Sequence, residues 1–381
     1  MTRTAKTRVA FVGCGYTQPT RTAGASDVDL AIEAARMAIE DAGISPADID
    51  GLNVQIHHDP PLDTRPVLEA LGLPAPRWER AGGGLGVLPA GIAAEAIDRG
   101  ECNAVLVLKI VNTVGAIAAP QIDPITNAVK GSAQFDVPYG LGYSMQRIGL
   151  VGRRYMEQYG VTQEQIGTIA IVQREHALLN PWAVMKSPLT MEEYLNSRVI
   201  AAPVRLFDCD MPINGACATI MAREDIARGG KHAPVFFQSW ASSGSNTQDH
   251  LVPELTSDMA PYAEEMYRDA GMDPGEMDLW YMYDGFSYFV PIWMEYLGLV
   301  PRGEGGNYVA GGTNIALTGA HPLNTHGGQL SEGRFQGEGH LLEAVQQLRG
   351  TAGPRQVNGA RTAIVSSVTP ATGGAGILTV N

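Results

Sequence analysis

The chain has 381 residues, 45% of them hydrophobic and 18% charged, with a net charge of −13. That is enough for two core-bearing domains or one large duplicated one, and the acidic balance argues against nonspecific nucleic-acid binding and against anchoring on an anionic membrane. No apolar run reaches the length of a membrane span, the start has no signal-peptide core, and the four cysteines (Cys14, Cys102, Cys209, Cys217) lack the CxxC spacing of a zinc site or disulfide framework, so a reducing cytoplasm is the expected setting.

Residues 8–14 (RVAFVGC) read as a buried strand. An amphipathic helix follows, with Leu30, Ala31, Ala34, Ala35, Ala38 and Ala42 at helical spacing, Ser26 as its N-cap and Gly43 as its stop. ISPADID predicts a short helix start, with Ser45 as N-cap and Pro46 at the first position, and GLNVQI the next strand. After a proline-rich loop and a helix around Val67–Leu71, the run from Arg80 reads as a glycine loop, a buried helix, a turn and the strand Ala104–Ile110. That strand is almost continuously apolar, as expected when both faces are covered. Residues 112–205 hold proline breaks, tyrosines and polar helices, and read as an inserted lobe. FDCDMPINGACATIMARED returns to strand and loop. The strand–helix alternation then restarts near residue 233 with VFFQSWASSG, continues through helices at 254–271 and 339–350, and closes on ARTAIVSSV and GAGILTV. This alternation predicts an α/β layered fold.

Several stretches, taken in order, resemble one family. DLAIEAARMAIEDAGISPADIDGL, AGIAAEAIDRGECNAVLVL and RLFDCDMPINGACATIMA are similar to the first helix region, the helix and strand after the nucleophile loop, and the mid-chain link of thiolases. YDGF, LNTHGGQLSEGRFQGEGH and TGGAG fall in the order of the three C-terminal active-site loops. The resemblance covers nearly the whole chain and lies closest to the sterol-carrier-protein-x branch. It implies two similar βαβαβαββ halves in an αβαβα arrangement, residues 1–230 and 231–381, with a loop domain inserted at about 112–205. It also implies a homodimer and a coenzyme A thioester as substrate, with no covalently bound cofactor and no metal.

The departures from the family carry the functional reading. The nucleophilic cysteine position falls at about Gly83, inside Gly82-Gly83-Gly84, where no cysteine, serine or threonine is present. Tyr283 of YDGF replaces a catalytic histidine, Arg334 followed by Phe335 replaces a second, and the last cysteine position falls near Pro370. Without a thiolate, acyl transfer loses the group that attacks a thioester and leaves again. The four remaining cysteines read as packing residues. The glycine loop reads as room for a bulky substrate end, with backbone N–H groups at a helix N-terminus able to bind an oxyanion.

Thiolase-like proteins without the cysteine include bacterial steroid side-chain aldolases of the lipid-transfer-protein type, which resemble this chain in the tyrosine of their YDxF motif. The resemblance implies retro-aldol cleavage of a β-hydroxyacyl-CoA, with a small OB-fold and zinc-ribbon protein as partner. Tyr283 is the lead acid/base, its phenol needing a lowered pKa that Arg334 would supply. His326 reads equally as a proton carrier or a backbone-bonded loop histidine. Asp284 reads as structural. Gly82, Gly83, Gly84, Phe335 and His340 are expected to line the substrate; packing at a helix terminus is the plainer reading of His340. Arg147, Arg153 and Arg154 read as CoA-phosphate contacts or as surface charges. His57 and His58 carry no assignment. Two alternatives stand beside the lyase: a degenerate thiolase-like subunit that binds acyl-CoA or scaffolds a partner, and an acyltransferase with an unusual nucleophile.

Overall fold

The structure, a computed structural model, describes residues 7–22, 24–55, 62–82, 84–112, 114, 134–135, 137–242, 261–370 and 373–380. Gly83, His57, His58 and the first part of the helix expected at 254–271 lie outside the described residues.

The first part of the chain supplies β1 (Val9–Tyr16), α1 (Asp27–Ala42), β2 (Gly51–Gln55), α2 (Arg65–Leu71), β3 (Trp78–Ala81), α3 (Val87–Asp98) and β4 (Ala104–Asn112). α1 is capped as expected: Ser26 Oγ accepts from the Asp29 amide at 3.1 Å, and Gly43 leaves the helix at φ 63°. Its alanine face lies directly on β1. A Cβ on Gly13 would sit 2.2 Å from Ala38 O, and one on Gly15 2.3 Å from Ala34 O, so only glycine permits the approach. β3 was not expected, because its WERA segment is a short, mostly exposed edge with no apolar alternation.

Next come α4 (Ser144–Tyr159), α5 (Gln163–Leu178), α6 (Met191–Asn196), the hairpin of β5 (Val199–Ala201) and β6 (Val204–Arg205), β7 (Asn214–Arg223) and the short α7 (Glu224–Ala227). The last part holds β8 (Val235–Ser242), α8 (Pro261–Ala270), β9 (Leu279–Tyr281), α9 (Phe289–Tyr296), α10 (Gly305–Val309), α11 (Gly328–Ser331), α12 (Glu338–Arg349), β10 (Thr362–Ser367) and β11 (Gly374–Thr379).

Nine strands join in the order β3-β2-β4-β7-β1-β8-β11-β10-β9. The pairing repeats. β2 runs parallel to β4, β4 antiparallel to β7 and β7 antiparallel to β1; likewise β9 runs parallel to β10, β10 antiparallel to β11 and β11 antiparallel to β8. The two sets meet through only two residue pairs, Ala10 with Phe236 and Phe11 with Val235. Strand faces divide by parity. Val105 and Val107 of β4 share a core with α3 and α12, while Leu106, Leu108 and Ile110 pack on the α1–α2 side. α3 and α12 are thus interior helices, and α8 and α9 cover the second set from outside. Nearly full burial of α12 matters for the site, because it carries His340 and Glu343 into the interior.

Candidate active site

Three loops meet where β9, α11 and α12 end or begin. Tyr283 lies two residues beyond β9, its amide bonded to Ser366 Oγ of β10 at 2.8 Å. His326 precedes Gly327 and Gly328, and His340 sits one turn into α12. The His326 and His340 rings meet edge to face at 4.9 Å, and the Tyr283 ring lies 6.5 Å from His340. All three are under one-tenth exposed. Of the three non-glycine residues with positive φ among the described residues, Asn324 and Gln336 fall in these loops and Val368 directly follows β10. Backbone strain of this kind gathers where a site needs a particular geometry.

Each histidine has a carboxyl partner. His340 Nε2 lies 3.1 Å from Asp284 Oδ1 and 3.2 Å from Met282 O. Two acceptors on one nitrogen place the proton on Nε2 and leave Nδ1 as acceptor. Asp284 also takes the Gln329 and Leu330 amides at 3.1 and 3.3 Å, so it caps α11 as well as orienting His340. Gly328 makes this possible: a Cβ there would lie 2.1 Å from Asp284 Oδ2. The sequence reading of Asp284 as structural missed this second duty. His326 Nε2 lies 3.6 Å from Glu332 Oε2, while Asn180 Nδ2 bridges Glu332 Oε1 and His326 O at 2.9 Å each. Burial holds the His326 imidazole well below its ordinary pKa, hence neutral at physiological pH, with His340 and Arg355 adding to that effect.

Several buried polar atoms here have no hydrogen-bond partner: Nδ1 of His326 and of His340, Oε1 of Glu338 and Oδ1 of Asn324 among them. A finished core satisfies such atoms; a reaction chamber leaves them for substrate.

The structure corrects four expectations. Burial, reinforced by Asp210, raises the Tyr283 phenol, and Arg334 with Gln329 only partly offsets this, so the phenol is held protonated rather than poised as a base. Arg334 instead pairs with Asp210 at 3.4 Å, whose carboxyl burial pushes up to about 7 against the pull of Arg334. Phe335 is fully buried against Tyr16 in a core cluster with Ile213, Cys217 and Leu342, where it supports the loop from beneath. At the start of α3, the Val87 amide is bonded to Ser367 Oγ at 2.7 Å and the Gly86 amide faces the Glu338 carboxyl, so neither is open to an oxyanion. Gly82 and Gly84 are exposed beside it. Arg153 and Arg154 lie exposed on α4, with Arg153 3.9 Å from Glu157.

No cysteine is activated. All four are free, and burial raises every thiol: Cys14, Cys102 and Cys209 to about 12, Cys217 well above its ordinary value. A surface groove lined by Arg8, Glu95, Asp98, Trp240 and Asp269 shares no residue with the histidine cluster. No group of residues with metal-ligand geometry occurs among the described residues, and no helix there is long and apolar enough to cross a membrane.

Glu332 gives a stability test. Burial pushes its carboxyl up to about 8, against the Asn180 hydrogen bond. The native state therefore keeps a proton that the unfolded chain loses near its ordinary value of 4.5. Native binds more protons than unfolded between those limits, so this group's contribution falls as pH rises through the window. Glu332→Gln mimics the neutral acid. Urea melts at pH 5 and pH 9 are expected to show it near wild type at the first and more stable by on the order of 2 kcal/mol at the second.

A duplicated α/β sheet around two interior helices, with three loops closing over a site that lacks an activated thiol, defines a thiolase-type protein outside cysteine chemistry. A family model described as "Thiolase C-terminal domain-like" matches residues 241–378. The chain is 32% identical to the 17-hydroxy-3-oxo-4-pregnene-20-carboxyl-CoA lyase of Mycobacterium tuberculosis, covering 91% of this chain and 92% of that one. It is also 32% identical to the steroid side-chain-cleaving aldolase of Thermomonospora curvata, covering 90% of each. A solved Ltp2-ChsH2(DUF35) aldolase superposes with a TM-score of 0.86 at 30% identity over 98% of both chains. The chain belongs to the thiolase-like family that contains these steroid side-chain aldolases.

Proposed function

We propose that this protein is a lyase that cleaves a bulky β-hydroxyacyl-CoA, a steroid or similar thioester, by a retro-aldol reaction without a covalent acyl-enzyme. The observation that carries the reading is the pairing of a converging Tyr283–His326–His340 cluster with four thiols that burial keeps protonated. In the reaction a neutral imidazole, His326 by its unpartnered Nδ1, takes the β-hydroxyl proton. The Cα–Cβ bond breaks, the hydroxyl carbon becomes a ketone, and the electron pair passes to a thioester enolate. The protonated Tyr283 phenol donates to the oxygen on which charge develops. Arg334, paired to Asp210, orients the thioester end, with Gly82, Gly83 and Gly84 giving room to the acyl body.

Coenzyme A enters as part of the substrate, and no other cofactor is assigned. The setting is cytoplasmic, with a homodimer core and a separately encoded small OB-fold and zinc-ribbon partner. The aldolase neighbour's own description as Ltp2-ChsH2(DUF35) supports the partner. The two halves are residues 1–230 and 231–381, with the loop domain at about 112–205.

The test uses 17-hydroxy-3-oxo-4-pregnene-20-carboxyl-CoA, with and without a co-expressed partner, and mass spectrometry of products. Cleavage between the hydroxyl-bearing ring carbon and the carbon next to the thioester releases a 17-ketone and propionyl-CoA. Those two products in equal amounts are the expected result. Binding of the thioester with partner present, but no cleavage, overturns the reading for this substrate class and favours an acyl-CoA-binding subunit.

A further inference from the structure

Glu338 was not singled out by the sequence, yet it stands where the two halves of the chain meet. It is the first residue of α12 and follows Gly337, whose φ of 93° turns the chain inward. A side chain built on Gly337 would lie 3.2 Å from Gly86 Cα and 3.5 Å from Tyr283 Cδ2, so the backbone enters α12 against the start of α3 and beside the Tyr283 ring, and the Glu338 carboxyl faces the Gly86 amide. It is 2% exposed, and its Oε1 has no hydrogen-bond partner. Lys109, reaching in from β4, is 1% exposed.

The two groups press on each other. Burial raises the Glu338 carboxyl towards its neutral acid, and Lys109 and the Gly86 amide oppose that. Burial lowers the Lys109 ammonium, and Glu338 opposes that. A buried acid whose anion is met by an ammonium and an amide can give up a proton and take it back. A purely structural ion pair would close both carboxyl oxygens with hydrogen bonds.

We propose that Glu338, positioned by Lys109, is the acid that protonates the enolate carbon after cleavage; this rests on the lyase reading above. As the Cα–Cβ bond breaks, its electron pair goes to Cα and spreads onto the thioester oxygen. The Glu338 O–H bond then breaks and a C–H bond forms at Cα, leaving a carboxylate beside Lys109 and the Gly86 amide. The proton taken from the β-hydroxyl leaves the base for solvent. Solvent returns one proton to Glu338 as the acyl-CoA departs, so atoms and charge balance over the turnover.

The same group run backwards removes an α-proton from the product, which gives a test independent of cleavage. Wild type incubated with propionyl-CoA in deuterium oxide is expected to place deuterium at Cα, read as a mass shift. Glu338→Gln, which keeps the shape of the neutral acid, is expected to slow this exchange by about 100-fold or more with thermal stability unchanged. The charged or titratable groups facing the pair are Cys217 on β7 and Arg334 in the preceding loop, with Tyr283 beyond Gly337. Lys109→Met removes the cation that steadies the carboxylate, so the pH midpoint of exchange is expected to move upward, a change that loss of packing alone would not produce. No exchange by wild type, or equal exchange by Glu338→Gln, overturns the assignment. Wild type that exchanges propionyl-CoA but releases no ketone from the hydroxyacyl-CoA overturns the lyase reading and leaves Glu338 in place as a carbon acid/base.

Discussion

Tyr283→Phe is expected to lower kcat for cleavage by about 10²- to 10⁴-fold, the range of a positioned acid or base, while leaving the fold and thioester binding near wild type. The ring is packed against Phe289 and His340, its backbone amide is tied to Ser366, and its hydroxyl faces the Gln329 side chain. Phenylalanine keeps the ring and backbone contacts and removes only the phenol oxygen. Because burial keeps that phenol protonated, the role proposed for it is to donate where the thioester oxygen gains charge. An interaction made mainly in the transition state lowers kcat and kcat/KM together. Steady-state product formation followed by mass spectrometry, with binding measured separately, decides the matter. A rise in KM at constant kcat would make Tyr283 a binding contact, and an unchanged kcat would remove it from the chemistry.

Arg355→Met is expected to cost about 3–5 kcal/mol of stability. Arg355 Nη2 and Nε contact Glu343 Oε2 and Oε1 at 2.8 and 3.1 Å, with both side chains about one-twentieth exposed or less. Removing the guanidinium leaves a buried carboxylate without its cation, which is dearer than losing the pair as a whole. Glu343 also accepts from Thr325 at 2.7 Å, and Thr325 meets the Tyr281 hydroxyl at 2.9 Å. Thr325 directly precedes His326, so the damage is expected to reach the site through that loop. Urea unfolding followed by tryptophan fluorescence should give the loss, and the double variant Arg355→Met with Glu343→Gln should recover most of it. No recovery in the double variant would mean that the loss does not come from the stranded Glu343 carboxylate, and a loss under about 1 kcal/mol would mean that solvent reaches the pair.

The degenerate-subunit reading accounts for the missing nucleophile but not for what replaced it. A scaffold has no use for paired histidine–carboxyl contacts, a raised buried acid at the start of α12, or positive-φ backbone at Asn324, Gln336 and Val368. Each costs stability, and a chain under selection only for folding would be expected to shed them.

The layered α/β fold was legible because its causes are local. Alanine at every helical turn of α1 needs a flat partner, and Gly13 and Gly15 supply one on β1. The unbroken apolar run of β4 requires cover on both faces, and α1 and α3 provide it. The edge strand β3 escaped notice, since a mostly exposed WERA segment owes its strand state to β2 beside it rather than to its own pattern. Of the candidate site, Tyr283 and His326 were picked out by motif position, and the fold brings both beside His340. Phe335 was assigned to substrate for the same reason, and the core claimed it.

That no thiol or hydroxyl side chain stands at the start of α3 is readable from residues 82–87 alone. Only the tertiary structure decided the protonation states and the pairings: a protonated Tyr283, a neutral His326, His340 on Asp284, Glu338 against Lys109, and α3 amides closed by a serine 280 residues away. The physical reason is that spacing along a chain encodes which face a residue occupies. Desolvation and charge coupling depend on what the rest of the molecule brings against that face.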